Sequence, residues 1–257
     1  MKLYEIYFSP TGGTKKVADV VAAALNGRAE QIDLIKTPGR LKEIKFQAED
    51  VCLVAVPSYG GRVPAPAAEC LKKAQGNGAK AVLAAVYGNR HIDDTLAELF
   101  DVLCDAGFEC AAALEAVAQH SLMPCYGKGR PDGRDREQLR TFAAQIREAL
   151  ADPKRCAGLK ERLPGNRPYK EFHNKLPLKP EASRKCEGCG LCAAQCPAGA
   201  IPKGNPRLTD KEKCISCMHC VAACPKKARK VSAAVRLAAS YKMRKVCSGR
   251  KENRLYL

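Results

Sequence analysis

Two cysteine runs constrain this chain more than anything else in it. Cys186, Cys189, Cys192 and Cys196 stand at C-x2-C-x2-C-x3-C with Pro197 next, and Cys214, Cys217, Cys220 and Cys224 repeat the spacing with Pro225 next. Such spacing lets three thiolates from one tight turn reach three irons of one cubane cluster, while the fourth, set off by the longer spacer, reaches the other cluster. The runs therefore predict two [4Fe–4S] clusters. One takes Cys186, Cys189, Cys192 and Cys224, and the other takes Cys214, Cys217, Cys220 and Cys196. Gly188, Gly190, Gly199 and Gly204 keep the loops small enough for backbone N–H groups to approach the sulfides. Each proline, lacking an N–H, stops the chain after the crossing cysteine. Structural zinc is the weaker reading, because it favours two separated C-x2-C pairs per metal. A disulfide framework would need an oxidising compartment and a small secreted chain.

This stretch resembles the two-cluster bacterial ferredoxins over residues 177–234, which implies a small α+β domain. His219 reads as an ordinary loop residue, since the cysteine set is complete without it. A chain of 257 residues leaves room for a further domain ahead of this one. Of its 15 cysteines, Cys52, Cys70, Cys104, Cys110, Cys125, Cys156 and Cys247 lie outside the runs. Several sit in apolar segments and read as small buried hydrophobes. Met1 to Phe8 alternates like a strand and carries no signal-peptide pattern. No apolar run approaches the ~20 residues that span a bilayer. The expected setting is a reducing, anaerobic cytoplasm, with no transmembrane segment.

The net charge of +17 sits entirely in the second part: residues 1–150 hold 19 basic and 19 acidic side chains, residues 151–257 hold 25 and 8. Two oxidised clusters would lower the total to about +13. A basic half of this kind attracts acidic, soluble redox partners at long range. Nucleic acid is disfavoured, because no helix-turn-helix, zinc finger or RNA-binding aromatic motif is present.

Ahead of the cysteines, strands alternate with helices. Residues 2–8 read as a strand, followed by Ser9-Pro10-Thr11-Gly12-Gly13-Thr14 and an apolar-periodic helix from Lys15 to Leu25. Residues 29–34 give a second strand and 39–46 a short helix. Val51 to Val56 is a continuous apolar run, as in a central strand covered on both faces, and ends in Pro57-Ser58-Tyr59-Gly60-Gly61-Arg62. Ala79 to Tyr87 gives a fourth strand ending in Gly88-Asn89-Arg90, Asp93 to Ala106 a helix, Phe108 to Ala118 a fifth strand and Arg134 to Leu150 a long helix. This order predicts an α/β fold with a doubly wound, parallel, five-stranded sheet. The loops 9–14, 57–62 and 87–90 fall at the C-terminal strand edge, where open α/β sheets bind ligands. A hydroxyl- and glycine-rich loop at a helix N-terminus suits a phosphate, and the other two loops would bracket a flat ring.

The segment Ser9-x-Thr11-Gly12-x-Thr14 is similar to the FMN phosphate loop of flavodoxins, over roughly residues 1–150. Together the halves resemble the flavodoxin–ferredoxin fusion proteins often called EFR-type, in which Pro-Ser-Tyr-Gly-Gly-Arg (57–62), Tyr-Gly-Asn-Arg (87–90) and His120-Ser121 recur. The resemblance implies that Ser9, Thr11, Gly12, Gly13 and Thr14 bind the FMN phosphate. It places Ser58, Tyr59, Gly60 and Gly61 on one side of the isoalloxazine, and Tyr87, Gly88, Asn89 and Arg90 on the other. No Trp is present, so either Tyr59 or Tyr87 stacks on the ring or the stacking is weak. Arg62 or Arg90 could steady an anionic reduced flavin, the alternative being plain loop charges. His120 is expected to cap the fifth strand, and 122–135 to form a loop over the flavin or a partner-binding rim.

The expected layout is a flavodoxin-like FMN domain over 1–151, a proline-rich linker over 152–176 with Tyr169 and Phe172 as its aromatics, the ferredoxin domain over 177–234, and a basic C-terminal tail over 235–257, read as helical and packed on its own protein. The function implied is electron transfer between FMN and two [4Fe–4S] clusters, with no catalytic residue assigned. Two alternatives remain: an FMN-dependent reductase of a nicotinamide or small acceptor, and a ferredoxin tethered to a docking module that holds no flavin.

Overall fold

Along the central run Val51–Pro57, Val51, Leu53 and Ala55 join one buried layer while Cys52, Val54 and Val56 join the other. That is the period of two a strand imposes on a sheet covered on both faces. A computed structural model describes residues 1–152, 158–171 and 177–257. It forms the strands β1 (Leu3–Tyr7), β2 (Glu30–Asp33), β3 (Val51–Pro57), β4 (Lys80–Tyr87) and β5 (Glu109–Val117). They lie parallel in the order β2-β1-β3-β4-β5, the flavodoxin-like doubly wound order. Helices α1 (Gly13–Asn26) and α4 (Gly133–Ala151) bury Val17, Val21, Leu139 and Ile146 on one face. Helices α2 (Ala65–Leu71) and α3 (Thr95–Asp105) bury Leu71, Leu96, Leu99 and Leu103 on the other. The capping box of Asp132 and Asp135 starts α4, satisfying N–H groups that a helix start leaves without partners. The short helix expected over 39–46 is a single 3-10 turn at Arg40–Glu43.

Beyond α4 the chain does not leave this domain at once. Leu159 of helix α5 (Leu159–Arg162) and Leu163 enter the core beside α3. Arg167 makes two bonds to Asp101, at 2.8 and 3.0 Å, and Asp94 accepts the N–H groups of Asn166 (2.9 Å) and Lys170 (2.8 Å). Residues 158–171 are thus a strap across α3. Cys156 and Phe172, and the adjoining parts of the expected 152–176 linker, lie outside the described residues.

The cysteine-rich part contains a two-stranded antiparallel pair, β6 (Glu181–Ala182) with β7 (Arg229–Lys230), and the short helices α6 (Leu191–Ala194) and α7 (His219–Ala223). Helix α8 (Ala233–Cys247) follows. The tail then departs from expectation. Arg254–Tyr256 forms β8, which pairs antiparallel with β5, so the five-stranded sheet expected from sequence has six strands. Three residues carry too weak a pattern to be read as a strand. The reason they become one is the exposed edge of β5, whose backbone groups need partners. The approach is held by side chains: the Val117 N–H donates to Asn253 Oδ1 (2.9 Å), and Asn253 Nδ2 donates to Gln138 Oε1 (2.8 Å).

Candidate functional site

At the C-terminal edge of the sheet, beside the reversal of strand order at β1, lies a cavity of about 740 Å³. Thr11, Gly13 and Thr14 line it from the loop into α1, Ser58, Tyr59 and Gly60 from the loop after β3, and Tyr87, Gly88 and Arg90 from the loop after β4. Gly88 leaves no room for a side chain, since a Cβ there would come within 2.6 Å of the His120 ring. Ser9, Gly12, Gly61 and Asn89 are not among the lining residues. The Ser9 hydroxyl accepts the Lys15 N–H (2.9 Å) and braces the start of α1, and Gly12 makes the left-handed turn before it. Asn89 turns to the tail and donates to the carbonyls of Cys247 (2.6 Å) and Gly249 (2.7 Å).

The two arginines separate. Arg62 makes two 2.8 Å bonds to Glu98 and lies over the Tyr169 ring, so it is a structural ion pair. Arg90 lines the cavity and bonds Asp93. His120 lines the cavity too, and its Nδ1 accepts the N–H groups of Leu122 (3.2 Å) and Met123 (3.4 Å), shaping the turn beyond β5. Burial, helped by the Arg90 charge, holds its pKa down to about 4, so the ring is neutral at pH 7. Burial also pushes the Tyr59 and Tyr87 hydroxyls above their usual range. Both are donors, Tyr59 to the Cys217 carbonyl (3.5 Å) and Tyr87 to the Glu252 carbonyl (3.2 Å).

The cavity is not walled by the first domain alone. Ile215 and Ser216 close one side, and α8 presents Val235, Ala238 and Met243. Leu122 and Met123 of the 122–135 loop line it as well, and Tyr126 of that loop donates its hydroxyl to the Ser240 carbonyl on α8 (2.5 Å). His219 is more than a loop residue. Its Nδ1 donates to the Pro10 carbonyl (2.9 Å) and its Nε2 meets Gln195 Oε1 (3.2 Å), so it ties the second cysteine run to the loop after β1. No local pattern announces the contact of His219 with Pro10, because it joins residues 209 positions apart.

The eight thiols sort into two rings. Cys186, Cys189, Cys192 and Cys224 surround one small cavity, and Cys196, Cys214, Cys217 and Cys220 surround another. Among the described residues no three His, Cys, Asp or Glu side chains gather tightly enough to hold a single metal ion; each ring spans a space. The crossing cysteines are matched: the Ala200 N–H donates to Cys196 Sγ and the Ala228 N–H to Cys224 Sγ, both at 3.3 Å. Such bonds set cluster potential. Arg229, 2% exposed, lines the first ring and donates to the carbonyls of Pro206 and Leu208. Of the other cysteines, Cys52, Cys70, Cys110 and Cys247 are buried, while Cys104 and Cys125 are exposed.

Residues 185–229 match the family model of the 4Fe-4S dicluster domain. A flavodoxin of Streptococcus pneumoniae TIGR4 is 21% identical, covering 60% of this chain and 99% of its own, with a TM-score of 0.42. Oxidised flavodoxin 1 of Bacillus cereus is 18% identical, covering 58% of this chain and 98% of its own, with a TM-score of 0.41. A search of curated proteins gives no match. Strand order and matched domain together make the chain a fusion of a flavodoxin-like domain with a 4Fe–4S domain. Among the described residues no helix is long and apolar enough to cross a membrane.

Proposed function

We propose that the chain is an electron-transfer protein that holds FMN in the cavity at the sheet edge and one [4Fe–4S] cluster in each thiol ring. The observation that carries this reading is a shared wall. Ile215 and Ser216 line the cavity and stand between Cys214 and Cys217, which line the second ring. Bound FMN would exchange an electron pair with one partner and single electrons with the clusters, making the chain a converter between the two kinds of transfer. The residues fit that group. Thr11, Gly13 and Thr14 present hydroxyls and backbone N–H groups at the start of α1 for a phosphate. Tyr59, Tyr87 and neutral His120 offer flat, largely apolar surface for a ring.

The ring of Cys196, Cys214, Cys217 and Cys220 would then hold the cluster nearest the flavin, and the ring of Cys186, Cys189, Cys192 and Cys224 the outer one. The excess of basic side chains over 151–257 favours an acidic, soluble redox protein as partner, with an association rate that falls as salt screens the attraction. Anaerobic purification followed by assay of iron, sulfide and FMN tests the reading. About eight irons, eight sulfides and one FMN per chain are expected. A full complement of iron with no uptake of FMN would leave a ferredoxin joined to a docking module and would end the converter.

A further inference from the structure

We propose that Ser216 hydrogen-bonds the FMN ring, so that the flavin site is completed by the cluster-binding loop of the other domain. The proposal rests on the reading of the cavity as a flavin site. Ser216 is 3% exposed and lines the cavity, and its Oγ is buried without a hydrogen-bond partner. A hydroxyl left in that state is destabilising, so a ligand atom that pairs with it removes a penalty as well as adding a bond. The neighbouring polar groups already have protein partners: Tyr59 donates to Cys217 and Tyr87 to Glu252. Thr11, Gly13 and Thr14 serve the phosphate end. Ser216, next to Ile215 and to the partner of Tyr59, is left for the ring, whose carbonyls and ring nitrogens can meet a hydroxyl.

The doubled cysteine run gives a second, independent argument. Position for position, Cys186-Glu187-Gly188-Cys189 corresponds to Cys214-Ile215-Ser216-Cys217. Both third residues are left-handed, Gly188 at φ 74° and Ser216 at φ 56°. Glycine takes that conformation freely and serine does not. A glycine at 216 would remove both the strain and the orphaned hydroxyl, so the fold supplies no reason for a serine there. A ligand in the cavity does.

The test uses the full-length protein with its clusters, as wild type, Ser216→Gly and Ser216→Ala, titrated with FMN. Ser216→Gly relieves the left-handed strain, so its melting temperature without FMN should equal or exceed that of wild type. Its FMN Kd should nevertheless rise about tenfold, the worth of one lost hydrogen bond, and the visible absorption of the bound flavin should shift. Ser216→Ala keeps the strain and loses the same hydroxyl, so it should weaken FMN to a like degree, and it decides the matter if the glycine variant loses its clusters. Wild-type affinity and spectrum in the variants would overturn the role of Ser216 and leave the flavin reading standing. A wild-type chain that takes up no FMN would overturn both.

Discussion

Glu5 occupies the middle of β1 and is 2% exposed. Its Oε2 accepts from Gln31 Nε2 (3.1 Å), while its Oε1 is buried without a partner. Burial, and next the charge of Asp19, push the carboxyl up to about 7. Between its unfolded pKa near 4.5 and that value the folded state holds a proton the unfolded chain has released, so this group withdraws stability as pH rises across the window. Glu5→Gln should therefore raise stability at pH 8 by about 2–3 kcal/mol and change little at pH 4; denaturant melts at the two pH values measure the difference. Arg229 is a buried cation whose two terminal nitrogens donate to carbonyls and to Thr209 while its Nε is buried without a partner. It occupies the place that Ile201 takes in the first run, five residues after the crossing cysteine. Arg229→Met would remove a positive charge beside the first thiol ring and leave the Pro206 and Leu208 carbonyls without their donor. Cluster potentials depend on local charge, so a redox titration followed by electron paramagnetic resonance should find at least one cluster at a lower midpoint. Thermal stability should fall as well, by about 1–3 kcal/mol for each carbonyl left unpaired.

Elements in this protein are fastened by segments remote in sequence. Strand β8 covers the edge of β5, and Asn253 joins that edge to α4 through Val117, Gln138 and Asp135. Asn253→Ala should cost about 1–3 kcal/mol, and removal of residues 254–257 should expose β5 and promote self-association, which light scattering would report. The strap over α3 is fastened both by apolar packing and by charge. Leu163 is 7% exposed in the first-domain core, and Leu163→Ala should cost about 2–5 kcal/mol in chemical denaturation. Hydrogen bonds from Arg167 and Tyr169 hold the Asp101 carboxyl below its usual range against the effect of burial, and bonds from Lys170 and Asn166 do the same for Asp94. A depressed carboxyl contributes stability above its unfolded pKa and loses it as pH falls through the folded value. The strap should therefore loosen below about pH 4, seen as faster hydrogen exchange over 158–171.

At the scale of the whole molecule, the flavodoxin-like half is packed against the cysteine-rich half through His219 at Pro10, Tyr59 at Cys217 and α8 over the cavity. The sheet is legible in the sequence. Val51 to Val56 is a run with no charged residue and Ala79 to Tyr87 has only Lys80 near its start, and a strand buried on both faces is the element that suits such runs between turns. The thiol rings were legible because their spacing is itself a geometric statement: cysteines separated by two residues share a turn, and the fourth, set off by three, is carried to the other ring. Most of the cavity's first-domain lining was legible too, since strand ends announce themselves through Ser58, Gly60 and Gly88. Asn89 was not, because its neighbours in sequence give no hint that the tail from Cys247 to Gly249 would return to it. Nor was His219, which reads as a loop residue within a complete ligand set, nor Ser216, of which only comparison of the two runs, with glycine at 188 and serine at 216, carries a trace.

Sequence alone determined the two modules, the alternation of strand and helix, and the pairing of eight thiols, because each follows from spacing and local burial along the chain. Tertiary structure alone decided that the tail adds a sixth strand, that the second cysteine run faces the cavity, and that Ser216 reaches it with a free hydroxyl. Those outcomes depend on surfaces brought together by closing loops of a hundred residues or more, and that closure leaves no period in the sequence to read.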